Sequence, residues 1–220
     1  MHDLWVFGYG SLMWRPGFEH EEARAATLHG YRRCFCIASV HHRGSAERPG
    51  LVLGLDRGGA CRGMAFKVAG NRVRETLAYL RAREQVNGVY REAHVTLDIE
   101  GVDGRVTALA YIAERGHPSY LGTLPVVQQA RIVRAAAGLS GANLEYLANT
   151  LDHMAALGIR ERELERVCWL AGRVFVRGNG VGRQARIKGL VAASQGEPVI
   201  VRRLRLSARR RFGHRVGMAT

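Results

Sequence analysis

Apolar positions up to residue 112 fall in short runs or in strict alternation, the two signatures of strands. The first run, Leu4-Trp5-Val6-Phe7, empties into Gly8-Tyr9-Gly10-Ser11-Leu12, a glycine-bracketed loop where a strand would end. Residues 28–39 read as a second strand, followed by a polar loop, 43–50, rich in turn formers. Residues 51–56 and 62–68 read as two further strands joined as a hairpin across Gly58-Gly59. Residues 93–99 alternate cleanly, turn around Asp103-Gly104, and continue as a strand over 106–112. Spacing by threes and fours interrupts this pattern over 72–84, predicting a helix with Asn71 as its N-cap. Helical spacing then takes over: 125–138 opens on Pro125, 141–157 is capped by Ser140, and a short helix covers 161–170. Strands followed by helices make this an α+β chain.

The helix over 72–84 carries the most informative position. Its apolar residues are Val73, Leu77 and Leu80, and continuing the spacing by four lands on Glu84. A carboxylate is thereby aimed toward the core at a helix C-terminus, just before Asn87-Gly88. Burial and the negative end of the helix both disfavour its charged form and raise its proton affinity. The alternative is a frayed end at which Glu84 reaches water or pairs with Arg81 or Arg83.

Composition sets limits on function. The chain has a formal net charge of +14, which invites a nucleic-acid partner. Its placement argues otherwise. From Ala171 onward there are twelve Arg or Lys and one acid, Glu197, of 33 and 19 in all, which leaves the first 170 residues at only +3. The expected organisation is a domain over 1–171 and a basic extension over 172–220, which carries no RNA motif. No apolar run approaches the roughly 18–20 residues of a membrane span, and the opening residues do not resemble a signal peptide. Cys34, Cys36, Cys61 and Cys168 contain no C-x-x-C pair, so structural thiols in a reducing cytoplasm are expected and no metal site.

The glycine loop is neither a dinucleotide fingerprint nor a P-loop. Val6-Phe7-Gly8-Tyr9-Gly10-Ser11-Leu12-Met13-Trp14-Arg15-Pro16 instead resembles the opening of the ChaC family, glutathione-specific γ-glutamylcyclotransferases. Further matching segments follow in order: Gly30-Tyr31-Arg32-Arg33, Arg43-Gly44-Ser45, Glu47-x-Pro49-Gly50-Leu51, Tyr79-Leu80-x-x-Arg83-Glu84 and Ser140-Gly141-x-Asn143. Two departures are Ser45-Ala46, where Thr-Pro is more usual, and Val89 after Gly88, where a second glycine is common.

The resemblance implies a γ-glutamylcyclotransferase-like fold, a small mixed β-barrel flanked by helices with its site at one mouth. It also implies conversion of glutathione to 5-oxoproline and cysteinylglycine without metal or organic cofactor. Glu84 matches the family's catalytic glutamate; Tyr9, Gly10, Ser11 and Leu12 match its γ-glutamyl-binding loop. In such a reaction backbone N–H groups around Gly10, Ser11 and Leu12 serve either the α-carboxylate or a developing oxyanion. Arg43 is a second candidate for a substrate carboxylate and Glu47 for the cationic end, although both also read as loop charges. Tyr120 and Tyr146 are candidates for the pocket wall. Other γ-glutamyl amino acids or amines are alternative substrates, and a non-catalytic binding protein is the alternative from a different class.

Overall fold

The computed structural model describes residues 2–173, so all but the first two residues of the expected basic extension lie outside it. Five strands close into a barrel: β1 (Leu4–Gly8), β2 (Glu22–Ser39), β3 (Gly50–Val68), β4 (Tyr90–Ile99) and β5 (Arg105–Ala113). They run in the order β1-β3-β2-β4-β5, antiparallel except where β5 returns alongside β1 in parallel, Trp5 opposite Ala108. The barrel is therefore mixed, and closure leaves none of these strands as a full free edge.

The hairpin expected at Gly58-Gly59 does not form. β3 passes straight through these residues as one strand paired with β2 along its length, and the chain reverses instead in the loop 40–49. Gly58 and Gly59 hold φ of +102° and +69°, and Gly30 opposite holds +83°, where the register shifts between His29 and Tyr31. Left-handed glycines here make an irregularity within a ladder, bending the strands without ending them. The bend leaves one half of the β2–β3 ribbon in the barrel and lets the other half carry helices.

Four helices follow this ribbon: α1 (Val73–Glu84), α2 (Val126–Ala135), α3 (Asn143–Ala156) and α4 (Arg162–Gly172). Between α2 and α3, β6 (Ala137–Gly138) and β7 (Gly141–Ala142) form a two-stranded ladder. Two expected caps are absent. Arg72 and Ala142 occupy the N-cap positions of α1 and α3 without side-chain capping bonds, displacing Asn71 and Ser140 from that role. Gly138 pairs within the ladder, three residues past the end of α2.

The apolar residues separate into distinct cores. Phe7, Leu28, Leu55, Leu97 and Ile112 fill the barrel. Phe35, Leu51 and Leu53 on the ribbon meet Val133, Leu147, Met154 and Leu164 of the helices. Val73 and Leu80 seat α1 against Val6, Leu109 and Tyr111. Fully buried Asn143 stitches α3 to the start of β3: its Oδ1 accepts from Leu51 N–H at 2.7 Å and its Nδ2 donates to Leu51 C=O at 2.8 Å. A side-chain amide thus supplies the donor and acceptor that a neighbouring strand would offer. Among the described residues no helix is long and apolar enough to cross a membrane.

Candidate active site

β1 delivers the glycine loop to the barrel mouth. Gly8 is tight there because a Cβ would sit 3.1 Å from the Leu12 Cβ, so the 3-10 turn Ser11–Met13 can fold back onto the strand. Gly63 on β3 gives room from beneath, since a Cβ would collide with the Gly8 carbonyl and lie 2.8 Å from the Phe7 ring. Gly10 has no such restriction; a Cβ there would meet nothing within 4 Å.

An interior cation anchors the loop. The Arg33 side chain, 0% exposed, donates to the Tyr9 carbonyl and to the Arg62 carbonyl at 2.7 Å, and pairs with Glu161 just before α4. A buried guanidinium persists when its donors are paired in this way. The turn uses Met13 N–H on Gly10 C=O at 2.9 Å and Arg15 N–H on Ser11 C=O at 2.8 Å. The N–H groups of Gly10, Ser11 and Leu12 have no acceptor among the described residues. Three unpaired donors at the start of a turn form a ready receptor for an anion.

Glu84, the last residue of α1, lines the same cavity as the turn, its side chain 17% exposed. The helix end does not fray, but the Arg83 pairing drawn from the sequence as part of that alternative is present. Glu84 faces the cavity and pairs with Arg83, whose Nε lies 3.1 Å from Oε1. Burial raises the carboxyl's pKa above the ordinary carboxylate value, while the Arg83 charge and hydrogen bond pull part of the way back. Arg83 also donates to Ser11 Oγ at 2.9 Å, to the Arg15 carbonyl at 2.7 Å and to the Tyr79 hydroxyl at 2.9 Å. One guanidinium therefore ties the loop to the carboxylate.

The cavity is lined by Tyr9, Gly10, Ser11, Leu12, Leu53, Glu84, Tyr90, Tyr111 and Tyr146, and encloses about 410 Å³ including its open mouth. All four phenols feel the Glu84 charge, and desolvation raises the pKa of each. The Tyr90 hydroxyl donates to the Leu53 carbonyl at 2.6 Å, and the Tyr111 hydroxyl donates to Glu92 Oε1 at 3.0 Å.

Tyr9, Gly10, Ser11, Leu12 and Glu84, far apart in sequence, thus share one cavity. Arg43 touches its lining through Tyr146, over whose ring the guanidinium sits 5.1 Å from the centroid, while donating to the Ser140 carbonyl. Glu47 is exposed in the loop 40–49, hydrogen-bonded with Ser45, and is not brought to this cavity. Tyr146 lines it, whereas Tyr120 donates to Asp56 Oδ2 at 3.0 Å outside it. Residue spacing missed Tyr90, Tyr111 and the anchoring roles of Arg33 and Arg83. The available signal was a phenol inside each apolar strand, a ring that carries a hydroxyl needing a partner when buried.

Residues 4–172 match the family described as ChaC-like protein. The mouse protein named glutathione-specific gamma-glutamylcyclotransferase 1 is 43% identical over 177 residues, covering 78% of this chain and 79% of its own length. The Escherichia coli K12 glutathione-specific gamma-glutamylcyclotransferase is 35% identical over 159 residues, covering 72% and 68%. Among solved structures, the yeast gamma-glutamyl cyclotransferase specific to glutathione superposes with a TM-score of 0.68 at 21% identity, over 78% of this chain and 96% of that one. This likeness extends the agreement to the fold, and with the matched sequence from the first strand to the last helix it establishes that the chain belongs to the ChaC-like family.

Proposed function

We propose that this chain is a glutathione-specific γ-glutamylcyclotransferase with Glu84 as its general base and acid. A γ-glutamyl peptide carries its own nucleophile: the α-amine attacks the γ-carbonyl, a five-membered ring closes, and the next residue leaves as its amine. Folding the substrate into the ring-closing pose supplies a large share of the acceleration. Two proton transfers remain. The α-ammonium must give up a proton before it attacks, and the departing nitrogen must gain one. A single carboxylate beside both nitrogens takes the first proton and returns it to the second. Raised proton affinity narrows the gap between carboxyl and amine, which assists both transfers.

One observation carries this reading: a buried carboxyl shares a phenol-lined cavity with a turn whose three N–H groups lack acceptors among the described residues. The names of the mouse and E. coli relatives favour glutathione over free γ-glutamyl amino acids. The four cysteines are unpaired and buried, which suits a reducing cytoplasm where thiols persist.

The test is release of 5-oxoproline from glutathione, oxidised glutathione and γ-Glu-Ala by the wild type and by Glu84→Gln, with folding of both verified. Turnover of glutathione by the wild type alone is expected. Dominant turnover of γ-Glu-Ala would overturn the substrate assignment, and full activity of Glu84→Gln would overturn the mechanism.

A further inference from the structure

Three hydroxyl protons in the cavity, those of Tyr90, Tyr111 and Ser11, can be assigned from their partners, and the assignment polarises the site. Arg81 grips Glu92 through two bonds, Nε to Oε1 at 2.7 Å and Nη2 to Oε2 at 3.1 Å. The guanidinium and its hydrogen bonds hold the Glu92 carboxyl below the ordinary carboxylate value, so it is ionised and can only accept. The Tyr111 hydroxyl must then spend its one proton on Glu92 and keeps only lone pairs for the cavity. Tyr90 is constrained in the same way by the Leu53 carbonyl, which has no proton to give. At the turn the polarity reverses. Arg83 has donors only, so Ser11 Oγ accepts from it and its own O–H remains free, beside the N–H groups of Gly10, Ser11 and Leu12.

We propose that Tyr90 and Tyr111 form the receptor for the substrate's α-ammonium, with Glu92 and Arg81 as positioning residues that fix the Tyr111 phenol as an acceptor. The α-carboxylate then goes to the turn, because the reverse placement would set a cation against N–H donors and an anion against phenol lone pairs. The cavity thus admits a γ-glutamyl head in one orientation, with the ammonium at two phenols that feel the Glu84 charge. This rests on the cyclotransferase reading, which supplies a substrate bearing both groups.

Calorimetric titration with L-glutamate and with glutarate, the same diacid without the amine, tests the receptor without requiring turnover. Tyr111→Phe and Glu92→Met should each weaken L-glutamate by about tenfold, the scale of one hydrogen bond to a charged group, and leave glutarate within about twofold. In the double variant the loss should not exceed that of Tyr111→Phe alone, because Glu92 acts through that phenol. Glu92 is 25% exposed and Arg81 55%, so Glu92→Met strands no buried charge. Should that variant still fail to fold, Tyr111→Phe with the two ligands decides. Equal losses for L-glutamate and glutarate, multiplicative losses in the double variant, or no loss at all would overturn the receptor. Wild-type release of 5-oxoproline, measured in parallel, reports separately on the cyclotransferase reading.

Discussion

At the scale of single residues, the proposed function turns on what surrounds one carboxyl. Extending the spacing of Val73, Leu77 and Leu80 by four was enough to find Glu84, because periodicity reports which side of a helix is covered. It could not show that Arg83, named there only as a partner for Glu84, also holds the loop, because Ser11 and Arg15 are distant in sequence. The pair makes opposing demands on pH. A general base must be ionised, so kcat/KM should fall as pH drops through the Glu84 pKa, which burial raises and Arg83 partly lowers. Glu84→Gln should reduce kcat by at least about a hundredfold, the usual scale for loss of a general base. Arg83→Met should move the acidic limb of the kcat/KM profile to higher pH, and Arg83→Lys should move it less. A limb that stays put in Arg83→Met would separate the guanidinium from the base. The raised pKa has a stability consequence of definite sign. The folded protein binds this proton more tightly than the unfolded chain, so the carboxylate destabilises above its folded pKa and is relieved as pH falls through it. At neutral pH the Tm of Glu84→Gln should therefore lie at or above that of the wild type, with the difference closing in acid.

Elements respond to constraints that residue types signal only weakly. A Gly-Gly pair flanked by apolar runs has the composition of a hairpin turn, yet here it lies within a continuous strand. What decided the outcome was the partner: β2 has its own left-handed glycine opposite and sequence enough to pair the whole length. Non-local pairing of this kind leaves no trace in a short window. The same holds for the expected caps Asn71 and Ser140, which fall one and two residues short of the N-cap positions. Asn143, by contrast, works as a piece of sheet. Asn143→Ala would leave the Leu51 N–H and C=O without their partners in a buried seam, a loss of about 3 kcal/mol. A lower urea midpoint with an unchanged m-value would show it. Gly63→Ala makes a different prediction, since its Cβ collides with the carbonyl of Gly8, where β1 feeds the loop. Turnover should fall along with the Tm, whereas a loss of stability with unaltered KM and kcat would place the loop beyond the reach of that strand contact.

For the molecule as a whole, the outstanding feature is where the charge resides. After Arg173 the chain carries eleven basic residues and one acid, while the barrel and its helices are close to neutral. The family match ends at residue 172, and the last described contacts close off α4: Arg134 donates to the carbonyls of Ala171 and Leu170, both at 2.9 Å, and to that of Arg173. These bonds satisfy carbonyls that a helix end leaves open. They fix where a truncation can fall. A chain ending at Arg173 retains all of them, whereas one ending at Cys168 loses them together with buried Ala171. The first should keep the Tm and the kcat/KM for glutathione within about twofold at physiological salt, where charges more than roughly 8 Å away are largely screened. The second should unfold at lower temperature. At low salt the two effects of the extension separate: an attraction for anionic substrate would make kcat/KM of the full chain depend more steeply on ionic strength than that of the truncated one. A large drop in kcat on truncation at Arg173, persisting at high salt, would instead make residues 174–220 part of the catalytic unit and refute a domain confined to 1–171.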